Sequence, residues 1–293
     1  KNRTLSRNDV KNPKFDYERA NTVEDAVRLL AAAGPDARIL AGGPSPLPTL
    51  AARLSAPSAL IDIGGVAELR GVARVGDTLR IGALTRHSDI MRDALVARHA
   101  PLLAEAVHHT AHPAIRNRGT IGGSLALADP AAEWPACIAA LDATIVARGP
   151  SGERRIAALD FFQGVYTVDL AENEILVAID IPVTKADDRF AFDEIARRRG
   201  DFALAGLAIA WSGGARGRLR FVFLGVGDRP EPIDLAAETV VAQIAQGRIA
   251  DVVGAAVAGL SPSADPHVSA EYRLHLARVL CARLLNRVME GRA

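Results

Sequence analysis

Two cysteines in 293 residues, Cys137 and Cys281, are too few and too far apart to hold an iron–sulfur cluster or a thiolate zinc ion within this chain. They are expected as buried free thiols that pack like small apolar side chains. Neither sign of charge is in excess: 35 Lys and Arg nearly cancel 34 Asp and Glu, so no basic field exists to recruit nucleic acid or an anionic membrane. No apolar run reaches the roughly 18 residues that a membrane span needs. The polar first residues lack the apolar core of a secretion signal, and a cytoplasmic chain is expected. Apolar residues at 49% against 24% charged indicate a folded protein, and the length suggests two domains rather than one.

Residues 1–14 are polar without periodicity and are expected to form an arm outside the fold. Thr22-Val-Glu-Asp25 resembles a capping box, and Val23, Ala26, Val27 and Leu30 then recur at helical spacing until Gly34-Pro35. Arg38-Ile-Leu-Ala41 reads as a short strand running into Gly42-Gly43, with a helix from Pro46. Another strand is expected at 59–63, a hairpin over 71–81 turning at Gly76-Asp77, and helices near 88–97 and 101–110. A second glycine loop, residues 117–124, leads through Ala128-Asp-Pro130 into a helix from Glu133. Strands near 143–148, 153–156 and 174–181 complete a first domain over 15–183, divided at about residue 64. From 184 the pattern changes to three consecutive strands, about 189–198, 202–212 and 217–225, followed by helices near 232–245, 248–258 and 269–290. Strands first and helices afterwards make an α+β arrangement with a three-stranded antiparallel sheet and a helical bundle.

A glycine pair after a strand lets the backbone approach a ligand closely, and N–H groups at the start of a following helix attract anionic oxygens. Neither loop contains G-x-G-x-x-G or Gly-Lys-Ser/Thr, so neither the Rossmann fingerprint nor the P-loop is present. One such loop suits an ordinary turn. Two suit a dinucleotide, whose central diphosphate needs donors and whose long body needs walls on both sides.

Ile39-Leu-Ala-Gly-Gly-Pro-Ser-Pro-Leu-Pro48 and Gly119-Thr-Ile-Gly-Gly-Ser-Leu-Ala-Leu-Ala-Asp-Pro-Ala-Ala-Glu133 resemble the two FAD loops of the flavin subunits of the molybdenum hydroxylase (xanthine dehydrogenase and carbon monoxide dehydrogenase) family. Phe190-Ala-Phe-Asp-Glu-Ile-Ala-Arg-Arg-Arg-Gly-Asp-Phe-Ala203 is similar to the opening of that family's C-terminal domain, in the same order. The resemblance runs from Phe15 to the C-terminus. It implies a two-lobed FAD-binding domain of the PCMH type followed by a C-terminal flavoprotein domain, with non-covalent FAD and no catalytic residue or metal of its own. Leu40, Ala41, Gly42, Gly43, Pro44, Ser45, Pro46 and Leu47 would form the diphosphate loop, with the Ser45 hydroxyl as an extra donor. Thr120, Gly122, Gly123 and Ser124 would line the flavin side, Asp129 and Glu133 would sit near ribityl or adenosine, and Leu176 beside the isoalloxazine. The implied partners are a small subunit with [2Fe-2S] clusters and a large subunit with molybdopterin, as a dimer of heterotrimers that passes electrons to NAD, oxygen or quinone.

Asp129 and Glu133 equally suit a helix-capping role, and Leu176 a core position. Pro44 and Pro46 depart from the family's commoner loop, where Thr, His or other donors stand, and delete two N–H groups. Asp193 stands where related chains can carry Lys. His108 and His112 share a face on the expected helix, a weak metal pattern without an acidic partner at ligand spacing. Arg197-Arg-Arg199 suits either a charged strand edge or a partner contact. Trp134 and Trp211 suit core or interface positions. The alternative function is a stand-alone FAD-dependent oxidase or dehydrogenase of the PCMH type, but a Tyr/His base cluster and a long substrate cap are missing.

Overall fold

The computed structural model describes residues 12–266 and 268–291. Residues 1–11 of the expected arm lie outside them. The first lobe comprises β1 (Asp16–Arg19), α1 (Val23–Ala33), β2 (Arg38–Leu40), α2 (Pro46–Ala51) and β3 (Ala59–Asp62), with the three strands parallel in the order β1-β3-β2. α1 begins where the sequence indicates, the Thr22 hydroxyl accepting from Asp25 N at 3.1 Å, and it buries Val23, Ala26, Val27 and Leu30 against β3. β1 carries no apolar alternation, and its four residues are exposed; pairing with β3 is what makes it a strand.

The second lobe runs through β4 (Val72–Val75), β5 (Thr78–Gly82), α3 (His87–Ile90), α4 (Ala94–His99), α5 (Pro101–Ala106), α6 (Pro113–Arg116), α7 (Ile121–Leu127), α8 (Glu133–Ala140), β6 (Thr144–Gly149), β7 (Gly152–Ala157), α9 (Ala158–Phe161), β8 (Phe162–Gly164), β9 (Thr167–Val168) and β10 (Ile175–Pro182). Its antiparallel sheet has the order β4-β5-β10-β6-β7. The expected single helix over 88–97 is two, because the Asp93 carboxylate caps a new start by accepting from Leu95 and Val96 N. The expected helix over 101–110 stops at Ala106, and Pro113 opens a helix rather than ending one. His108 and His112 therefore share no helical face.

In the C-terminal region β11 (Arg189–Ala196), β12 (Ala203–Ser212), β13 (Arg218–Leu224) and β14 (Pro232–Ala236) form an antiparallel sheet, followed by α10 (Ala237–Ala245), α11 (Ile249–Val257) and α12 (Ala270–Glu290). The three strands foreseen are joined by a fourth that sequence reading had placed in a helix. Pro232 is tolerated there because β14 pairs on one side only. One face of this sheet packs Phe192, Ala208, Val222 and Leu224 into the core of the second lobe, against the wholly buried α8. The other face packs Leu207, Ile209 and Phe221 against Leu280, Leu284 and Leu285 of α12.

Arg220 ties α8 to this sheet. Only 4% exposed, it donates from Nε and Nη2 to Asp234 (2.7 and 2.8 Å), and from Nη1 to the Ala139 carbonyl (3.1 Å) and Asp142. The cation also faces the C-terminal end of α8, where the helix dipole favours positive charge. Arg220→Leu is expected to cost about 2 kcal/mol, below the usual penalty for a broken buried pair because both carboxylates can rehydrate. Chemical denaturation would measure it, and Arg220→Lys would recover only part, lacking the planar fork.

Candidate functional site

The two glycine loops come from different lobes and meet. β2 delivers Leu40 and Ala41 to the edge of the first lobe, and Gly43 turns the chain at φ +88°, a left-handed conformation that favours glycine, so that α2 can start at Pro46. Gly42 lies so close to the second loop that a Cβ would stand 2.0 Å from the Arg118 carbonyl oxygen. Arg118 Nε in turn donates to the Gly42 carbonyl at 3.4 Å. A Cβ at Gly123 would lie 3.9 Å from the Ala41 Cβ.

The second loop is more helical than its glycines suggest. Thr120 caps α7, its hydroxyl accepting from Gly123 N at 3.2 Å, so Gly122, Gly123 and Ser124 occupy the helix's first turns. Gly122 serves packing: a Cβ there would stand 2.6 Å from Ala83 Cβ, and its N–H bonds the Ala83 carbonyl. Gly123 is exposed.

Between the loops is a cleft lined by Leu40, Ala41, Gly42, Leu47 and Thr120 of the expected set. The N–H groups of Gly42, Gly43 and Ser45 donate to no backbone carbonyl among the described residues, and the Ser45 side chain caps nothing. Of these three residues Gly42 lines the cleft, while Gly43 and Ser45 carry their free donors on the same loop beside it; the closeness of the two loops depends on a missing Cβ at Gly42. That arrangement fits a phosphate-bearing nucleotide.

The remaining expected residues lie elsewhere. Asp129 accepts from Ala131 N and the Tyr166 hydroxyl in the turn before α8. Glu133 opens α8 in the interior, where burial pushes its carboxyl up to about 7 against a hydrogen bond from Thr110. Leu176 is buried in the core of the second lobe beside a β-bulge. Pro44 and Pro46 flank Ser45 on the loop without lining the cleft.

Sequence reading missed four cations. Arg19, Arg70, Arg86 and Arg118 all line the cleft. They lie at the end of β1, after the turn that follows β3, before α3 and before α7, and no spacing in the sequence unites them.

A second pocket opens between the lobe-two segment carrying His108 and His109 and the C-terminal Arg198, Arg199 and Glu194. Its floor is acidic. Burial and the neighbouring Glu133 and Asp193 carboxylates push Glu194 up to about 8, and its Oε2 has no partner. His109, edge-on to Phe192, stands 3.9 Å from Glu194, and burial holds its pKa below the usual imidazole value. Asp193 pairs with Arg283 at 2.6 Å on the opposite face of β11. Among the described residues no group of three or more His, Cys, Asp and Glu could hold a metal ion. Trp134 is fully buried and stacks on His87, whose pKa burial drives down to about 4. Cys137 and Cys281 are buried free thiols, both with raised pKa from desolvation.

Residues 13–184 match the family described as the FAD binding domain in molybdopterin dehydrogenase, and residues 190–288 match the CO dehydrogenase flavoprotein C-terminal domain. The chain belongs to the FAD-binding medium subunits of the molybdenum hydroxylases. Members are oxidoreductase components. One is the carbon monoxide dehydrogenase medium chain of Hydrogenophaga pseudoflava, 37% identical over 94% of this chain and 96% of that one. Another is the 6-hydroxypseudooxynicotine dehydrogenase complex subunit alpha of Paenarthrobacter nicotinovorans, 39% identical over 96% of each. A solved carbon monoxide dehydrogenase from Hydrogenophaga pseudoflava superposes with a TM-score of 0.88 at 36% identity, over 97% of this chain and all of that one. Quinoline 2-oxidoreductase from Pseudomonas putida 86 gives 0.87 at 36% identity. Among the described residues no helix is long and apolar enough to cross a membrane.

Proposed function

We propose that this medium subunit carries non-covalent FAD across the cleft between its glycine loops and acts as an electron relay. Electrons would arrive from [2Fe-2S] clusters of a small subunit, released by a molybdopterin large subunit, and leave for NAD, oxygen or quinone; a dimer of heterotrimers is the assembly in view. Bound flavin supplies the ability to exchange one electron at a time on one side and two on the other. The chain's own residues bind and orient: Gly42, Gly43 and Ser45 offer N–H groups to the diphosphate, and Thr120, Gly123 and Ser124 form the facing wall. The division into an FAD-binding domain over 15–183 and a C-terminal domain from 184 belongs to the same reading.

The observation that carries it is the meeting of two loops from separate lobes, fixed by contact of Gly42 with the Arg118 carbonyl. Native purification from the source cells tests the relay. One companion with iron–sulfur clusters and one with molybdopterin are expected, with one FAD per medium subunit. Rapid bleaching of the flavin by an alcohol or amine on the isolated chain would instead establish a stand-alone oxidase.

A further inference from the structure

Pro44 and Pro46 delete two N–H donors from the loop that faces the cleft, yet the cleft is rich in positive charge. We propose that the guanidinium groups of Arg19, Arg70, Arg86 and Arg118 take over recognition of the FAD diphosphate from the donors that the two prolines remove. This rests on the FAD reading above and adds the chemistry by which that site holds its anion.

None of the four is ion-paired with a carboxylate among the described residues. Two are anchored by hydrogen bonds that leave charge to spare. Arg70 Nη2 donates to the Gly64 carbonyl at 2.6 Å, and Arg118 Nε reaches the Gly42 carbonyl. Arg19 lies over Gly65, where a Cβ would stand 3.2 Å from both Nε and Nη2. Arg86 is held at the cleft by its backbone bridge to Thr120. The single acid in the lining, Asp62, is occupied by the Tyr17 hydroxyl at 2.5 Å and by Gly64 N at 2.7 Å. Four cations against one engaged carboxylate leave a surplus that matches a diphosphate, and guanidinium forks suit phosphate oxygens in pairs. A backbone nest is rigid and weakly screened. Exposed guanidinium groups are not, so the substitution leaves a signature in salt dependence.

The test is titration of the flavin-free full chain with FAD, read by flavin fluorescence, at about 0.1 M and about 1 M salt, between which the screening length falls from about 10 to about 3 Å. The wild type is expected to bind roughly tenfold more weakly at the higher salt. Arg19→Gln/Arg86→Gln, whose circular dichroism should match the wild type, is expected to lose roughly tenfold at low salt and most of the salt dependence. ADP, which carries the diphosphate without the flavin, should compete with FAD in the wild type and less well in the double variant. Adding Pro44→Thr to that variant, which restores an N–H donor, should regain affinity. A double variant with wild-type affinity and salt dependence overturns the proposal and leaves the FAD reading standing. A wild-type chain that binds no FAD at either salt overturns both.

Discussion

Gly42→Val is expected to abolish flavin retention and to destabilise the chain, whereas Gly123→Glu should abolish retention alone. Gly42 lines the cleft and Gly123 stands on the facing loop near Ala41, but what surrounds them differs in kind. A Cβ at Gly42 meets backbone, the Arg118 carbonyl oxygen at 2.0 Å and its carbon at 2.8 Å, and no rotamer relieves that. The loops must part, at a cost of about 3 kcal/mol, the upper part of the range for overpacked sites. Parting them removes the cradle itself. A Cβ at Gly123 meets the Thr120 hydroxyl at 2.9 Å, the end of a small side chain, and the Ala41 Cβ at an ordinary 3.9 Å, and the position is exposed, so the fold survives. The glutamate then adds bulk and negative charge to a site built for an anion, an unfavourable pairing in any dielectric. Flavin-to-protein absorbance ratios and thermal melting together separate the two. A Gly42→Val chain that melts like the wild type and keeps its full flavin would break the link between loop contact and cofactor binding.

Those two glycines also mark where the sequence was legible. Local signals sufficed for the first loop, because a strand pattern, a Gly-Gly pair and a proline-started helix are each set by nearby residues. The second loop was found but misshapen: two glycines argue against a helix, and only the close approach of α7 to Ala83 explains why Gly122 sits in one. β14 was hidden by Pro232 for a similar reason, since an edge position excuses a proline and edges are decided by tertiary pairing. The four arginines could not be grouped at all. Each comes from a different segment, and convergence on a cleft is a property of topology rather than of spacing. Glu133 shows the reverse: its place in a sequence motif suggested a ligand contact, while the structure turns its carboxyl into the interior beside Thr110.

Glu133 and Glu194 should make this protein lose stability in alkali, with replacement of one acid restoring it. Both are buried, with Glu133 8% exposed and the Glu194 side chain 4%. Desolvation raises both carboxyls, to about 7 and about 8 from an ordinary 4.5; the neighbouring Glu133 carboxylate adds to the rise at Glu194, and Asp129 adds to that at Glu133. The folded state therefore holds protons that the unfolded chain releases. The resulting stability is complete below about 4.5 and is lost as pH rises through about 8. Around Glu194, Asp193 pairs with Arg283 and Glu105 with Arg287, His109 faces it with a lowered pKa, neutral in alkali, and Arg198 and Arg199 line the same pocket. Glu194→Gln cannot ionise, and at pH about 9 it is expected to exceed the wild type by about 2 kcal/mol, discounted from the full shift for the amide left without partners. Near pH 4 the order should reverse or close, because there the wild-type carboxyl is already neutral. Denaturation midpoints across that range measure it. A constant difference between variant and wild type at every pH would mean that Glu194 is ionised in the folded protein, and that the cavity beside His109 is wetter than its burial implies.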